Sequence, residues 1–269
     1  MLDLSNVTLV TIDSAADHLS KNNIRLAAIS RIVPKLLDKI KFGDLLIINL
    51  FGKNKDLLNE KFDTLWSYNF EQQPRNINWY SNFAVKKLPT LIKTEWYLII
   101  QWDGFPDLRH CEETWDNRFF EFPFLGGGHS VYNGGFSLRN TKIMKDLSTI
   151  QETYDTGAED GFYSSFFQNK YQKNKNTPIK LKWTEDDIVD KFCTFRNYNQ
   201  TIPSFGWHRS NFLSDWAIKD MFKWADCFDV KEIDKLLQYC KSKDFPTHLF
   251  VNDYMKFFDM DFNEDFYNY

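Results

Sequence analysis

Short apolar runs alternate, over the first hundred residues, with longer segments in which apolar side chains recur at helical spacing. The runs that predict buried strands cover residues 7–12, 44–50 and 96–101. The segments that predict helices cover residues 22–40 and 80–92. We expect Pro34 to bend or split the first helix and the second helix to stop near Pro89. Strands that alternate with helices predict an α/β fold in which helices flank a mixed, mostly parallel sheet.

The pattern changes after residue 104. Residues 105–130 are rich in Trp, Phe, Pro and Gly, and the three glycines at 126–128 predict a flexible or tightly turning stretch. A helix of about a dozen residues is expected from Thr141, and another over 159–168.

The last sixty residues are predicted to be helical. Their apolar spacing indicates helices near residues 215–226, 230–242 and 249–258. We found no internal repeat and no clear linker, and 269 residues suit one large α/β domain with an appendage. We therefore expect a domain over residues 1–210 and a helical C-terminal extension over 211–269 packed on it.

Composition and charge narrow the possible partners and the compartment. The net charge of −4 and the pI of about 5.8 give no general attraction to nucleic acid. The four cysteines form no CxxC pair, as expected for reduced thiols inside a cell. Neither a basic leader with a long apolar core nor a run of about 20 apolar residues is present. We therefore expect a cytoplasmic protein without a membrane span.

The most informative single position is Asp103, which follows the apolar run 96–101. A carboxylate at the end of a buried strand, followed by Gly104, lies where open α/β sheets bind ligands. A turn in which Asp103 only caps nearby backbone amides accounts for this segment equally well.

Three further polar landmarks follow Asp103, and each also has a purely structural interpretation. Gly134 and Gly135 can form a bulge or a tight strand entry. Glu159 and Asp160 can be the solvated first turn of a helix. His208 can be a hydrogen-bonded loop histidine.

Taken together, the landmarks have the composition of a metal-assisted transfer site. Asp103 and His208 are suitable ligands for Mn²⁺ or Mg²⁺, with a substrate diphosphate completing the shell. Such a metal stabilises charge on a departing diphosphate. Two glycines allow a sugar ring to approach the backbone closely. Asp160, at a helix start, can take a proton from an attacking hydroxyl.

Five segments resemble the signatures of an uncharacterised-domain family grouped with glycosyltransferases. That family is similar to the GT-A class of nucleotide-sugar enzymes, and the resemblance spans roughly residues 7 to 210. The segments are Tyr80-Ser-Asn-Phe83 with Leu88, Gln101-Trp-Asp-Gly-Phe105, Asn133-Gly-Gly-Phe-Ser-Leu-Arg139, Glu159-Asp160 and Phe205-Gly-Trp-His208.

The resemblance implies a GT-A-like, Rossmann-type fold, a nucleotide-sugar donor and an inverting displacement with Asp160, or else Glu159, as the base. It implies a metal at Asp103 in a motif that usually has two aspartates, whereas this chain has Gln101 at the earlier position. The residues it assigns to donor binding are Thr11, Asp13, Trp102, Asp103, Gly104, Asn133, Gly134, Gly135 and Arg139.

Several functions are consistent with these observations. The leading hypothesis is transfer of a sugar from a nucleotide-sugar donor to a glycan or another hydroxyl acceptor. A nucleotidyltransferase on a similar sheet is a second enzyme class. A third hypothesis is a transferase that glycosylates modified bases in DNA, which the acidic pI disfavours. The fourth is an inactive carbohydrate- or nucleotide-binding assembly protein, for which Gln101 in place of an aspartate is the best support.

Overall fold

A computed structural model describes most of the chain up to residue 208. The described residues are 1–13, 24–49, 65–67, 77–101, 104–108, 110–128, 132–149, 158–167, 186–195 and 204–208. Trp102, Asp103 and the helices predicted after residue 211 lie outside them, as does the proposed division at residue 210. Within the described residues, no helix is long and apolar enough to cross a membrane.

Nine strands form two sheets in the described part of the chain. The strands are β1 (Leu2–Asp13), β2 (Ile40–Asn49), β3 (Leu65–Ser67), β4 (Trp96–Ile100), β5 (Gly104–Pro106), β6 (Phe124–Gly127), β7 (Asn133–Asn140), β8 (Cys193–Phe195) and β9 (Gly206–His208). The larger sheet has the order β3-β2-β1-β4-β7-β6, and the smaller has the order β5-β9-β8.

Short and medium helices connect the strands. They are α1 (Ile24–Lys39), α2 (Ile77–Asn82), α3 (Leu88–Leu91), α4 (Cys111–Thr114), α5 (Thr141–Ser148), α6 (Glu159–Ser165) and α7 (Asp186–Phe192). A π-helical turn, Phe83–Lys87, joins α2 to α3, and a 3₁₀ turn covers Asn117–Glu121.

The direction of the strands confirms the predicted fold class. β1 to β4 run parallel to one another, because each of these pairings is parallel. β7 is antiparallel to β4, and β6 is antiparallel to β7. The structure is therefore mixed α/β with a mostly parallel sheet flanked by helices. The amino end of β7 meets the carboxyl ends of the parallel strands, which is the edge where open α/β sheets bind ligands.

Apolar residues explain why β4 lies at the centre of the larger sheet. All five residues of β4 are buried, as expected for a strand with neighbours on both sides. In α1 the side chains of Ile32, Val33 and Leu36 are buried, while Pro34 is exposed. The helix contacts β1 and β2, so its apolar side covers the sheet.

The second predicted helix, over residues 80–92, stops near Pro89 as expected. The helical stretch continues to Leu91, with Pro89 in the first turn of α3. A proline is tolerated there because the first turn of a helix leaves its N–H groups without intrahelical acceptors.

The prediction of a flexible or turning stretch at residues 126–128 is only partly right. Gly126 and Gly127 belong to β6, where the register against β7 shifts between them. A Cβ at Gly126 would overlap the carbonyl oxygen of Asn133, so a close backbone approach requires glycine there. Gly128 has a φ of 102°, which does turn the chain.

Aromatic side chains join the two sheets. The rings of Phe136 from β7 and Phe192 from α7 stack with centroids 5.0 Å apart. Phe205, just before β9, lies 6.1 Å from Phe136 and 6.0 Å from Phe192. All three rings are buried, so the small sheet is held against β7 by apolar packing.

Candidate active site at the carboxyl edge of the sheet

The register of β4 and β7 brings Gln101 opposite Gly135. Ile99 pairs with Ser137, and two residues further in this antiparallel register Gln101 faces Gly135. A Cβ on Gly135 would overlap Oε1 of Gln101, so the glutamine side chain lies over this glycine. The Gln101 amide also donates a hydrogen bond of 3.3 Å to the Tyr80 hydroxyl. The end of β4 is thereby tied to the helix that precedes it.

The small sheet adds His208 to the same place. Gly104 pairs with His208 across β5 and β9, and the imidazole lies against both Gly104 and Gly135. A Cβ on Gly135 would overlap Nε2 of His208. Gln101, Gly135 and His208 are therefore mutual neighbours, although they are distant in sequence. The ring is buried, with 3% of its surface exposed.

A buried ion pair supports the other side of the glycine pair. Arg139, on β7, is fully buried, and its Nη2 donates hydrogen bonds to Oε1 of Glu159 at 3.2 Å and to the Gly134 carbonyl at 3.1 Å. Its Nε donates to the Ser137 hydroxyl at 2.9 Å, and that hydroxyl donates to the Gly134 carbonyl at 2.8 Å. The guanidinium also lies over the rings of Phe124 and Tyr163.

Asp160 lies at the start of α6 and contacts the same glycine. Its Oδ2 accepts a long hydrogen bond of 3.4 Å from the Gly134 amide, and its Oδ1 accepts one of 2.7 Å from the Gly161 amide. Asp160 is half-buried, whereas Glu159 is buried. A solvated first turn is thus wrong for Glu159, whose burial is compensated by Arg139, and the two neighbouring carboxylates have different environments.

Burial shapes the electrostatics of this cluster. It raises the pKa of the Glu159 carboxyl, while Arg139 opposes that shift and Asp160 adds to it. Burial lowers the pKa of Arg139, but Tyr97, Glu159 and other neighbours outweigh it, and the guanidinium stays charged. Burial also raises the pKa of Tyr80, and it raises the pKa of Tyr97 to about 12.

The structure brings together many of the predicted site residues. Gly104, Gly134, Gly135 and His208 meet at one edge of the sheet, and Asn133 accepts a hydrogen bond of 2.8 Å from the Gly135 amide. The glycines make room for protein side chains. A Cβ on Gly134 would overlap the Glu159 carboxylate, so tight packing by itself accounts for a glycine there.

The remaining predicted positions, apart from Arg139, lie at the same edge or outside the described residues. Thr11 is buried near the carboxyl end of β1, and Asp13 is the last residue of that strand. Arg139 lies in the interior, so the predicted contact with a donor stays a prediction for this residue.

Of the two predicted metal ligands the structure describes only His208, because Trp102 and Asp103 are not among the described residues. Among the residues that are described, no three His, Cys, Asp or Glu side chains cluster closely enough to hold a metal ion. Nε2 of His208 and Oε1 of Gln101 both lie beside Gly135. The metal stays a prediction that depends on Asp103.

Ser81 and Ser137 are supporting residues that sequence reasoning did not single out. The Ser81 hydroxyl accepts a hydrogen bond of 3.2 Å from the Glu159 amide, which anchors the start of α6 to α2. Ser137 holds the Gly134 carbonyl. Both serines lie inside segments that carry the family resemblance, which is the only sequence signal that could have found them.

Comparison with known proteins gives distant structural likenesses only. No protein-family model and no curated protein matches the chain. A glycosyltransferase involved in glycosylation of the major capsid of PBCV-1 aligns with 75% of this chain and 91% of its own, with a TM-score of 0.40 and 10% identity. The apo form of the glycosyltransferase GlyE from Streptococcus pneumoniae TIGR4 aligns over 88% and 64%, with a TM-score of 0.46 and 12% identity. TarS 1–349 from S. aureus aligns over 94% and 72%, with a TM-score of 0.38 and 11% identity.

Proposed function

We propose that this chain is a glycosyltransferase that moves a sugar from a nucleotide-sugar donor to a hydroxyl acceptor with inversion. The observation that carries the proposal is the half-buried carboxylate of Asp160, held beside the Gly134 amide at the carboxyl edge of the sheet. A carboxylate held at a ligand-binding edge has the position that a general base requires. The segments that resemble the glycosyltransferase family include each of these residues.

The contrast between the two neighbouring carboxylates favours Asp160 as the base. Glu159 is buried, with one oxygen engaged by Arg139, so an acceptor hydroxyl has no approach to it. Asp160 keeps part of its surface exposed and accepts hydrogen bonds from the Gly134 and Gly161 backbone amides. In the proposed reaction, Asp160 takes the acceptor's proton as the acceptor oxygen bonds to the sugar carbon and the nucleoside diphosphate leaves.

The proposal includes the other expected components of the site. Asn133, Gly134 and Gly135 border the donor sugar, and Thr11 with Asp13 lies toward the nucleotide base. Asp103 and His208 would hold Mn²⁺ or Mg²⁺, which supplies Lewis-acid stabilisation of the departing diphosphate when bound. The acceptor is a glycan or another hydroxyl compound, and the cytoplasm stays the expected location.

Release of nucleotide from a panel of nucleotide sugars tests the proposal without knowledge of the acceptor. Purified protein is incubated with UDP-, GDP-, dTDP- and CMP-sugars, with and without Mn²⁺, and nucleotide release to water is measured. Thermal shift with the same compounds reports binding, because a ligand of the folded state raises the melting temperature. We expect one donor class to bind and to be slowly hydrolysed.

Asp160→Asn is the informative variant, with Asp146→Asn as its control. Asp146 is an exposed aspartate on α5 that pairs with Lys142 and is not one of the candidate-site residues. The Asp160 variant should keep donor binding and lose about 100-fold or more in turnover, the range of general-base effects. Binding without turnover in the unaltered protein would indicate the inactive binding module, and no binding of any donor with metal present would refute the proposal.

A further inference from the structure

Arg139 connects the two elements that meet at Asp160. Through Nη2 it bonds at once to the Glu159 carboxylate on α6 and to the Gly134 carbonyl on β7. Asp160 is the next residue after Glu159, and it contacts the amide of the same glycine. The guanidinium therefore bridges β7 and α6. The distance between these two elements determines where the Asp160 carboxylate lies.

We propose that Arg139 and Glu159 are positioning residues that fix the Asp160 carboxylate against the Gly134 amide. This inference rests on the proposed function for its catalytic meaning, but its geometric content is independent of any reaction. It assigns Arg139 a role different from direct contact with a donor, in keeping with its complete burial.

Three sets of contacts hold the bridge in place. The guanidinium lies over the adjoining Phe124 and Tyr163 rings, 5.2 and 5.3 Å from their centroids. The Gly134 carbonyl accepts from two donors, Arg139 and the Ser137 hydroxyl. On the helix side, the Glu159 amide donates to Ser81, so the first turn of α6 is anchored twice.

The bond from Asp160 to Gly134 is the weaker of its two contacts and therefore depends on this support. At 3.4 Å it lies near the upper limit of a hydrogen bond, whereas the bond from Gly161 is 2.7 Å and local to the helix. Loosening of the Arg139 bridge should break the first contact and leave the second intact. The two glycine amides thus report the two contacts separately.

NMR of protein labelled with ¹⁵N-glycine measures this directly. In Glu159→Leu, which removes the neighbouring carboxylate and its bond to Arg139, the Gly134 and Gly161 amides are followed through the acid pH range and compared with the same amides in the unaltered protein. Among the described residues, Tyr80 and Arg139 are ionisable neighbours whose raised pKa values keep them out of this range. We expect the Gly161 amide to titrate and the Gly134 amide to stop responding. If both amides titrate together as Asp160 ionises, the inference is overturned.

Kinetics of donor hydrolysis provide the second readout. A misplacement of about 1 Å costs up to about 100-fold in rate, so kcat should fall by about 10- to 100-fold while KM for the donor changes little. A higher KM with unchanged kcat would instead assign Arg139 and Glu159 to donor binding and overturn the positioning role. If Glu159→Leu does not fold, Ser137→Ala removes one hydroxyl from the same bridge and should lower kcat in the same direction.

Ser164→Ala is the matched control on the same helix. The Ser164 hydroxyl is buried and accepts a hydrogen bond of 3.0 Å from the Tyr132 amide, without touching the bridge. The Ser164→Ala variant should be less stable but keep the kcat and the Gly134 titration of the unaltered protein. An equal loss of kcat in this variant would mean that Arg139 and Glu159 act only through general stability. Absence of turnover in the unaltered protein refutes the proposed function, whereas the NMR titration still decides the positioning role.

Discussion

The side chain of Gln101 occupies the space that a side chain at position 135 would need. This contact joins the end of β4 to the start of β7, and His208 completes it from the small sheet. Gln101 and His208 can therefore pack beside each other at the candidate site because Gly135 has no side chain.

A double-mutant cycle tests this relationship. Gly135→Ala should lower the free energy of unfolding by about 1–3 kcal/mol, because the added methyl group displaces Gln101 and His208. The loss should be smaller in a Gln101→Ala background, with a coupling energy of at least about 0.5 kcal/mol in urea unfolding. Gly126→Ala is the control, since its methyl group meets the Asn133 carbonyl and Gln101→Ala gives no relief there. Equal losses in both backgrounds would contradict the contact.

Breaking the buried ion pair of Arg139 and Glu159 should strongly lower the free energy of unfolding. Arg139→Met leaves the Glu159 carboxylate buried without its partner, and we expect the free energy of unfolding to fall by about 3–5 kcal/mol. The double variant Arg139→Met with Glu159→Leu should lose less than this single variant, because no charge remains buried. The exposed pair Lys142 and Asp146 provides a comparison, with an expected loss below about 1 kcal/mol. A loss in the free energy of unfolding below about 1 kcal/mol for Arg139→Met would argue against its buried ion pair with Glu159.

Stability should fall in alkaline solution because Tyr97 holds its proton in the folded state. The pKa of Tyr97 is raised to about 12 by burial, above the ordinary value of 10.0. Between pH 10 and 12 the unfolded state releases this proton and the folded state does not, so stability present below pH 10 is lost as the pH rises. The slope is about 1.4 kcal/mol per pH unit. Tyr97→Phe should remove that part of the slope in denaturant titrations, and identical slopes would refute the assignment.

Gly161 should behave in the opposite way to Gly134. A Cβ at Gly161 has no heavy atom within 4 Å, whereas one at Gly134 would overlap Glu159. Because α6 is helical at this point, Gly161→Ala should raise the free energy of unfolding by about 0.5–1 kcal/mol. Gly134→Ala should lower it. Loss of stability in the Gly161 variant, measured by urea unfolding, would mean that another part of the chain covers this position.

The buried strands of the parallel sheet could be predicted from sequence because their apolar runs are local signals. Even so, β1 begins at Leu2, five residues before its predicted start, where Asp3 and Ser5 alternate with buried Leu4. That alternation is the pattern of a half-exposed strand, and a search for continuous apolar runs overlooks it. The predicted helix from Thr141 is also shorter, ending at Ser148.

The site was harder to predict because its contacts are not local. The three-residue strands β5, β8 and β9 are too short to show a hydrophobic period. No sequence pattern therefore predicts that Gly104 pairs with His208. The pair Glu159-Asp160 could be singled out as chemistry, yet which carboxylate is buried depends on Arg139, twenty positions earlier. Only the packing of β7 against α6 distinguishes them.

The pairing of β5 with β9 also has a consequence for folding. It joins Gly104 to His208, about 100 residues apart, and contacts of such separation form slowly because a long loop must close first. Gln101 and Gly135 can meet through the nearer pairing of β4 with β7 well before the imidazole arrives. We therefore expect His208 to be among the last side chains to enter the cluster, so that the site is completed only when the described fold is itself complete.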